Sequence, residues 1–322
     1  MRYRPLGDSG LVVSVVGLGA NNFGRRIPEV DRTRAVVDAA LDAGITLIDT
    51  ADIYGTDPRG IRGGSEAHLG EVLEGRREQV VLATKFGMDM GGGNGPDWGA
   101  RGSRRYTRRA VEASLRRLRT DWIDLYQYHA PDGITPIEET VDALDELVRD
   151  GLVRYVGSSN LAAWQVADAE AHARRHGRAR FVSAQNHYNL LERQAERELV
   201  PACARHGIGV LPYFPLASGL LTGKYRRGEP PPDGSRLQAT VGTVRDRSYD
   251  ALELLEELAR SRDRSVLDVA IGGLAAQPTV GSVIAGASSP EQVRANVAAG
   301  EWIPTPDDLA AIDAIVPRGS RA

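Results

Sequence analysis

Four polar residues, Asp49, Tyr54, Lys85 and His129, stand at or just beyond the ends of three short apolar runs, and their types suit proton transfer to a carbonyl oxygen. Asp49 closes the run Ile45–Asp49, and Tyr54 follows in Asp49-Thr-Ala-Asp-Ile-Tyr54-Gly55. Lys85 closes Val80–Lys85, and His129 closes Ile123–His129. A buried lysine needs a counter-charge, which Asp49 supplies. A phenol held against an ammonium has its pKa of about 10 driven down, because the cation favours phenolate. Such a tyrosine is a competent general acid near neutral pH. His129 can donate a hydrogen bond to an oxygen that Tyr54 holds. None of the four supplies a hydride, so a cofactor must.

A second set of residues could hold that cofactor. Ser159-Asn160 and Gln185 are donors and acceptors of the kind that grips a carboxamide, and Tyr213 offers a flat face for a ring. Lys224, Arg236 and the turn Gly286-Ala-Ser288-Ser-Pro-Glu-Gln292, which opens a helix, could hold phosphates. Of the 40 basic residues only Lys85 and Lys224 are lysine. In a chain that otherwise uses arginine, a retained lysine marks a place for a compact ammonium, chance retention being the plain alternative.

These residues recur at the ends of apolar, β-branched runs, which continue through Val15–Gly19, Arg154–Ser159, Phe181–Gln185, Ile208–Tyr213 and Ser282–Gly286. Helical patterns fit residues 31–43, 65–75, 107–119, 161–175, 192–206, 250–260, 265–276 and 290–298. Another begins at Thr135-Pro136-Ile137-Glu138, with threonine as N-cap, proline at the first helical position and glutamate closing a capping box; Gly151 ends it. Eight strands alternating with helices predict a parallel sheet closed into a (β/α)8 TIM barrel, an α/β fold. Residues 2–14, turning at Gly7-Asp8-Ser9-Gly10, predict an N-terminal β-hairpin. No linker-like stretch divides the chain, so residues 1–322 read as one domain. The polar strand ends Asp49, Lys85, His129, Ser159-Asn160, Gln185 and Tyr213 would then share the C-terminal face, where barrels carry their sites. The long connections 55–64, 87–105 and 220–247 belong to that face, and the glycine tract at 91–95 suits a closing lid or a passive insertion equally.

Composition excludes several classes of function. No stretch approaches the ~20 apolar residues of a membrane span. The net charge of −3 argues against nucleic acid as partner, and the single cysteine, Cys203, against a disulfide framework or a thiolate zinc site. A reducing, cytoplasmic setting follows; the apolar run after Arg4 is too short, and too close to turn residues, for a secretory signal. Gly17-Leu-Gly19-Ala-Asn-Asn-Phe-Gly24 lacks the spacing of a dinucleotide-binding turn, and Gly151–Asn160 that of a phosphate loop. His172 and His176 have metal-ligand spacing without a third ligand.

Across nearly its whole length the chain resembles the aldo-keto reductases, in their bacterial and potassium-channel-β-like branch. The matching segments are Leu47–Gly55, Ala83–Gly87, Asp121–Asp132, Val156–Asn160, Ala184-Gln185-Asn186 and Tyr213–Tyr225. The resemblance implies that Asp49, Tyr54, Lys85 and His129 form the catalytic tetrad, with Tyr54 the proton donor, in NADPH-dependent reduction of an aldehyde or ketone. It implies that Ser159, Asn160 and Gln185 bind the nicotinamide amide, that Tyr213 stacks on the ring, and that Leu216 and Ser218 line the pyrophosphate. Lys224, Arg236, Gly286, Ser288, Gln292 and Asn296 match the adenosine-phosphate clamp. Ala295 stands where that branch often has an adenine-binding glutamate, and Gln292 where the mammalian-type branch often has an arginine. Both weaken the preference for NADPH over NADH without reversing it, so NADH is also possible. Two other functions fit the same residues: a cofactor-sensing regulatory subunit with little turnover, and a Lys85 Schiff-base aldolase. Asn21, Asn22, Phe23, Met88 and Trp98 are candidates to shape the substrate pocket; the identity of the carbonyl compound and the oligomeric state have no signal in the sequence.

Overall fold

A computed structural model describes residues 1–56, 60–233, 235, 237–238 and 244–322. Its centre is an eight-stranded parallel sheet made of β3 (Val16–Gly19), β4 (Leu47–Asp49), β5 (Val81–Phe86), β6 (Ile123–Tyr128), β7 (Val153–Ser159), β8 (Phe181–His187), β9 (Gly209–Tyr213) and β10 (Val283–Gly286). Neighbours in the chain are neighbours in the sheet, and β10 pairs with β3. The ring is carried from β9 towards β10 by a parallel bridge between Val210 and Val280, where the Val210 amide donates to the Thr279 carbonyl at 2.7 Å. The architecture is the expected (β/α)8 barrel, each strand ending within two residues of its expected limits.

Helices α1 (Val30–Asp42), α2 (Gly64–Val72), α3 (Arg104–Leu118), α4 (Ile137–Arg149), α5 (Ala163–His176) and α6 (Leu199–His206) follow successive strands. After β9 come α7 (Asp246–Ser261) and α8 (Val266–Ala275), and after β10 come α9 (Pro290–Glu301) and α10 (Pro306–Ile315). The antiparallel hairpin β1 (Tyr3–Pro5) and β2 (Val12–Ser14) precedes the barrel. It buries Leu6, Leu11 and Val13 against Leu47, Ala83, Leu125 and Leu211 of the barrel interior. Gly7 docks the hairpin turn so closely that a Cβ would lie 2.4 Å from the Gly207 carbonyl.

Two helix expectations need correction, and one helix is added. At α4 the capping box does not form: Thr135 Oγ1 donates to Asp132 Oδ2 at 2.7 Å, and the Thr135 amide donates to Asp132 Oδ1. An upstream carboxylate has captured the threonine, so Pro136 stands at the cap without a side-chain bond. The helix expected from 192 starts instead at Leu199. Arg193, almost wholly buried, pairs with Glu196 at 2.9 Å and Asp313 at 2.8 Å, which holds the preceding turn out of helical register. Helix α10, not anticipated, carries the box that α4 lacks: Asp308 accepts from the Thr305 amide at 2.9 Å and donates its own amide to Thr305 Oγ1. Among the described residues no helix is long and apolar enough to cross a membrane.

Candidate active site

Closing the barrel brings the ends of β4, β5 and β6 together, and with them Asp49, Lys85 and His129. Lys85 is fully buried, and its Nζ donates to Asp49 Oδ2 at 2.6 Å and to the Thr50 carbonyl at 2.9 Å. It also hydrogen-bonds the Tyr54 side chain, whose ring centroid is 5.0 Å from Nζ. Burial alone would lower the lysine pKa, but the charges and bonds of Asp49 and Tyr54 outweigh it and raise the pKa above its usual value. The ammonium is therefore a permanent cation wedged between carboxylate and phenol.

The remaining oxygen of Asp49 is held by two amides. Gln185 Nε2 donates to Oδ1 at 2.8 Å and Gln127 Nε2 at 3.0 Å, while Gln185 Nε2 also reaches Gln127 Oε1 at 3.3 Å. Gln127 was not singled out in the sequence. Its signal is the period of two along β6, which puts Leu125, Gln127 and His129 on one face. His129 sits just past β6, with its ring edge-on to Tyr54 at 5.7 Å between centroids. Burial, and secondarily Lys85, push its pKa well below the usual histidine value, so the imidazole is neutral at pH 7. Its Nδ1 is buried with no hydrogen-bond partner among the described residues.

A second polar network lies beside the first. The Asp52 amide donates to the Lys85 carbonyl at 3.0 Å, and the Asp52 side chain is fully buried. Its Oδ2 accepts from Asn94 Nδ2 at 2.9 Å, and Arg117 bridges Asn94 Oδ1 at 3.1 Å to Glu66 at 2.7 Å. Burial, with Glu66 nearby, pushes the Asp52 carboxyl up to about 8. Asn94 belongs to the long β5–α3 connection, so the glycine-rich segment is tied to the barrel through a buried side chain.

A cavity of about 1200 Å³ opens over this face of the barrel. Asp49, Tyr54 and His129 line it, as do Ser159, Asn160, Gln185 and Tyr213. Lys85 lies behind them, out of the lining. Leu216, Ser218, Lys224, Gly286, Ser288, Gln292 and Asn296 line the same space; Arg236 is outside the described residues. Of the residues expected to shape the pocket, Asn21, Asn22 and Met88 line it. Phe23 is instead buried in the core, and Trp98 is 71% exposed beneath the Arg105 guanidinium.

Hydrogen-bonding capacity is distributed unevenly around this wall. Asn160 keeps one acceptor position: Nδ2 donates to the His129 carbonyl and to Ser159 Oγ, and Oδ1 accepts from the Tyr213 hydroxyl at 2.8 Å, which leaves its second lone pair open. Gln185 Oε1 and the Ser159 hydroxyl hydrogen are unused among the described residues. His187 stacks on Tyr213 at 5.5 Å and covers one face of its ring. The segment after β9 has positive φ at Phe214, Ala217 and Ser218, a conformation that costs about 1–3 kcal/mol per residue and clusters at ligand sites. Asn296 is 5% exposed and makes no side-chain hydrogen bond among the described residues. Gln292 Oε1 accepts from the Ser288 amide at 2.9 Å, and its Nε2 has no partner among the described residues. An open cavity lined by unsatisfied amides, hydroxyls and the Lys224 ammonium fits a dinucleotide's carboxamide, phosphates and base. The metal-like pair is otherwise occupied, with His172 Nε2 3.1 Å from Asp142 Oδ1.

Comparison with known proteins shows the family. The family model described as Aldo/keto reductase family matches residues 15–317. An "Uncharacterized oxidoreductase YrpG" of Bacillus subtilis (strain 168) is 38% identical over 310 residues, 94% of this chain and 91% of that protein. A "Probable voltage-gated potassium channel subunit beta" of Oryza sativa subsp. japonica is 35% identical over 329 residues, 98% and 97% of the two chains. An "L-glyceraldehyde 3-phosphate reductase" of Escherichia coli (strain K12) is 34% identical over 313 residues, 93% and 87% of the two.

Proposed function

The chain belongs to the aldo/keto reductase family, and from that premise we propose that it reduces an aldehyde or ketone with NADPH, Tyr54 donating the proton. One observation carries the reading: a fully buried lysine ammonium shared between Asp49 and Tyr54, at the wall of a cavity large enough for cofactor and substrate. NADPH, when bound, supplies the hydride that the carbonyl carbon takes up. As negative charge builds on the substrate oxygen, the Tyr54 hydroxyl gives up its proton, and Lys85 stabilises the phenolate left behind. Asp49 keeps Lys85 charged and in place, and is itself held by Gln127 and Gln185. His129 stays neutral. It lines the cavity as a neutral imidazole whose N–H would orient the substrate oxygen.

Gln185 Oε1, Ser159 and Asn160 would hold the nicotinamide amide, Asn160 through the Oδ1 lone pair that Tyr213 does not take. Leu216 and Ser218 would border the pyrophosphate. Lys224, Gly286, Ser288, Gln292 and Asn296, with Arg236, would take the adenosine phosphate and base. A Lys85 Schiff base is disfavoured, because an ammonium bonded to a carboxylate is not a free amine nucleophile. Steady-state NADPH and NADH consumption with a panel of simple aldehydes tests the proposal. Turnover that Tyr54→Phe abolishes supports it; tight cofactor binding without turnover would favour a regulatory subunit, and aldol cleavage without NADPH would favour the aldolase.

A further inference from the structure

We propose that Arg25 and Arg26 form an anion subsite beside Tyr54, selecting carbonyl substrates that carry a phosphate or carboxylate; this rests on the reductase reading above. Both side chains line the same cavity as Tyr54 and His129. They occupy the tip of the tight connection after β3, where Phe23 bridges to Ile27 and the Ile27 amide donates to the Asn22 carbonyl at 2.9 Å. Phe23 and Ile27 are wholly buried, so the loop is anchored by its apolar pair while the two arginines project as exposed residues.

That loop abuts the one that carries Tyr54. The Thr56 amide donates to the Gly24 carbonyl at 2.9 Å, and a Cβ on Gly55 would lie 3.1 Å from Gly24 Cα and 2.3 Å from the Phe23 carbonyl. Arg25 and Tyr54 are therefore each one residue from a backbone contact between two glycines. Neither arginine makes an ion pair or a side-chain hydrogen bond among the described residues. Arg62, also on the lining, is instead committed to the Asp89 carbonyl. The described lining carries three arginines and Lys224 against one carboxylate, Asp49, which Lys85 already neutralises. Two adjacent guanidinium groups on the cavity wall, without counter-charges among the described residues, present ten N–H donors suited to bidentate capture of an oxyanion. Phosphate and carboxylate share that chemistry, and so do the cofactor's own phosphates, which the test must separate.

The test compares kcat/KM for glyceraldehyde 3-phosphate with glyceraldehyde, and for succinic semialdehyde with butanal, in wild type and in the Arg25→Gln/Arg26→Gln double variant. The expected result is at least a tenfold preference for the charged member of one or both pairs, reduced at least tenfold in the double variant. The larger ratio identifies the anion. An unchanged ratio overturns the proposal, as does a weakened NADPH Kd with no change in the ratio, since the arginines would then serve the cofactor. Calorimetric titration of glycerol 3-phosphate onto the cofactor-free protein, with glycerol as control, reads the subsite without turnover. Binding weakened at least tenfold by the double variant supports the subsite even if no aldehyde is reduced, a result that would sink only the reductase reading. Absence of binding to wild type counts against the subsite alone.

Discussion

Gln127 and Asp49, 78 residues apart in sequence, are joined by a buried hydrogen bond of 3.0 Å from Nε2 to Oδ1. This bond shares with Gln185 the task of satisfying the carboxylate oxygen that Lys85 does not reach. A hydrogen bond to a buried charge contributes about 1.5–3 kcal/mol. Gln127→Met, similar in volume but without donors, is expected to lower the urea midpoint and reduce kcat without weakening cofactor binding. An unaltered midpoint and kcat would show that Gln185 alone suffices.

Tyr54→Phe removes only the group that acts as charge develops on the substrate oxygen, so the loss should fall on kcat rather than on NADPH affinity. Lys85→Arg is the sharper probe. Charge is kept, but five N–H donors must replace three in a site whose acceptors are Asp49 Oδ2, the Thr50 carbonyl and Tyr54. A wider, planar guanidinium in a fully buried site made for an ammonium would leave donors misdirected or would displace Tyr54. Reduction is expected to fall at least ~100-fold, the scale of a disabled general acid. More than a tenth of wild-type turnover would make the lysine a generic cation.

Asp52 sets a pH dependence of stability. In the unfolded chain it ionises above about pH 4, whereas in the native protein it stays protonated up to about 8. Between those values the native state binds the extra proton, so this residue's contribution to stability declines as pH rises through that window and is flat on either side. Asp52→Asn cannot ionise, and its Tm advantage over wild type should grow from pH 5 to pH 8. A difference in Tm that is constant across that range would show that Asp52 is not protonated in the native state.

Asn94 tethers the β5–α3 connection to Asp52 and Arg117. Asn94→Ala is expected to raise amide hydrogen exchange across residues 88–100 while α3 stays protected, because the tether acts on the loop and not on the helix. Equal exchange in both proteins would mean that the loop is held by its ends.

Preference for the 2′-phosphate should reside in Lys224 and Arg236. Loss of a charge-assisted contact of about 1.5–3 kcal/mol corresponds to roughly tenfold or more in Kd. Arg236→Ala should weaken NADPH by that factor and NADH much less in a fluorescence titration; equal losses would remove the residue from that phosphate.

The βα period, the polar strand ends and the fold they imply are legible in the chain alone. Each rests on short-range rules: apolar runs of strand length, helices of period 3.6, and turns marked by glycine and proline. Asp49, Lys85 and His129 stand out because a polar group ending an apolar strand is conspicuous at any distance from its partners. What the tertiary structure decided is how the polar groups choose among one another. Thr135-Pro136 and Thr305-Pro306 read alike in sequence, yet only the second caps its helix, because Asp132 captures Thr135 while Asp308 turns back to Thr305. Gln127 and Asn94 look like ordinary strand and loop residues until barrel closure removes their water and leaves Asp49 and Asp52 as their partners. Arg25 and Arg26 carry no signal in the sequence, and only the fold puts both on the wall of the cavity that Tyr54 also lines. Local pattern specifies the elements; the cost of burying an unpaired polar group, felt only once distant segments meet, specifies the site.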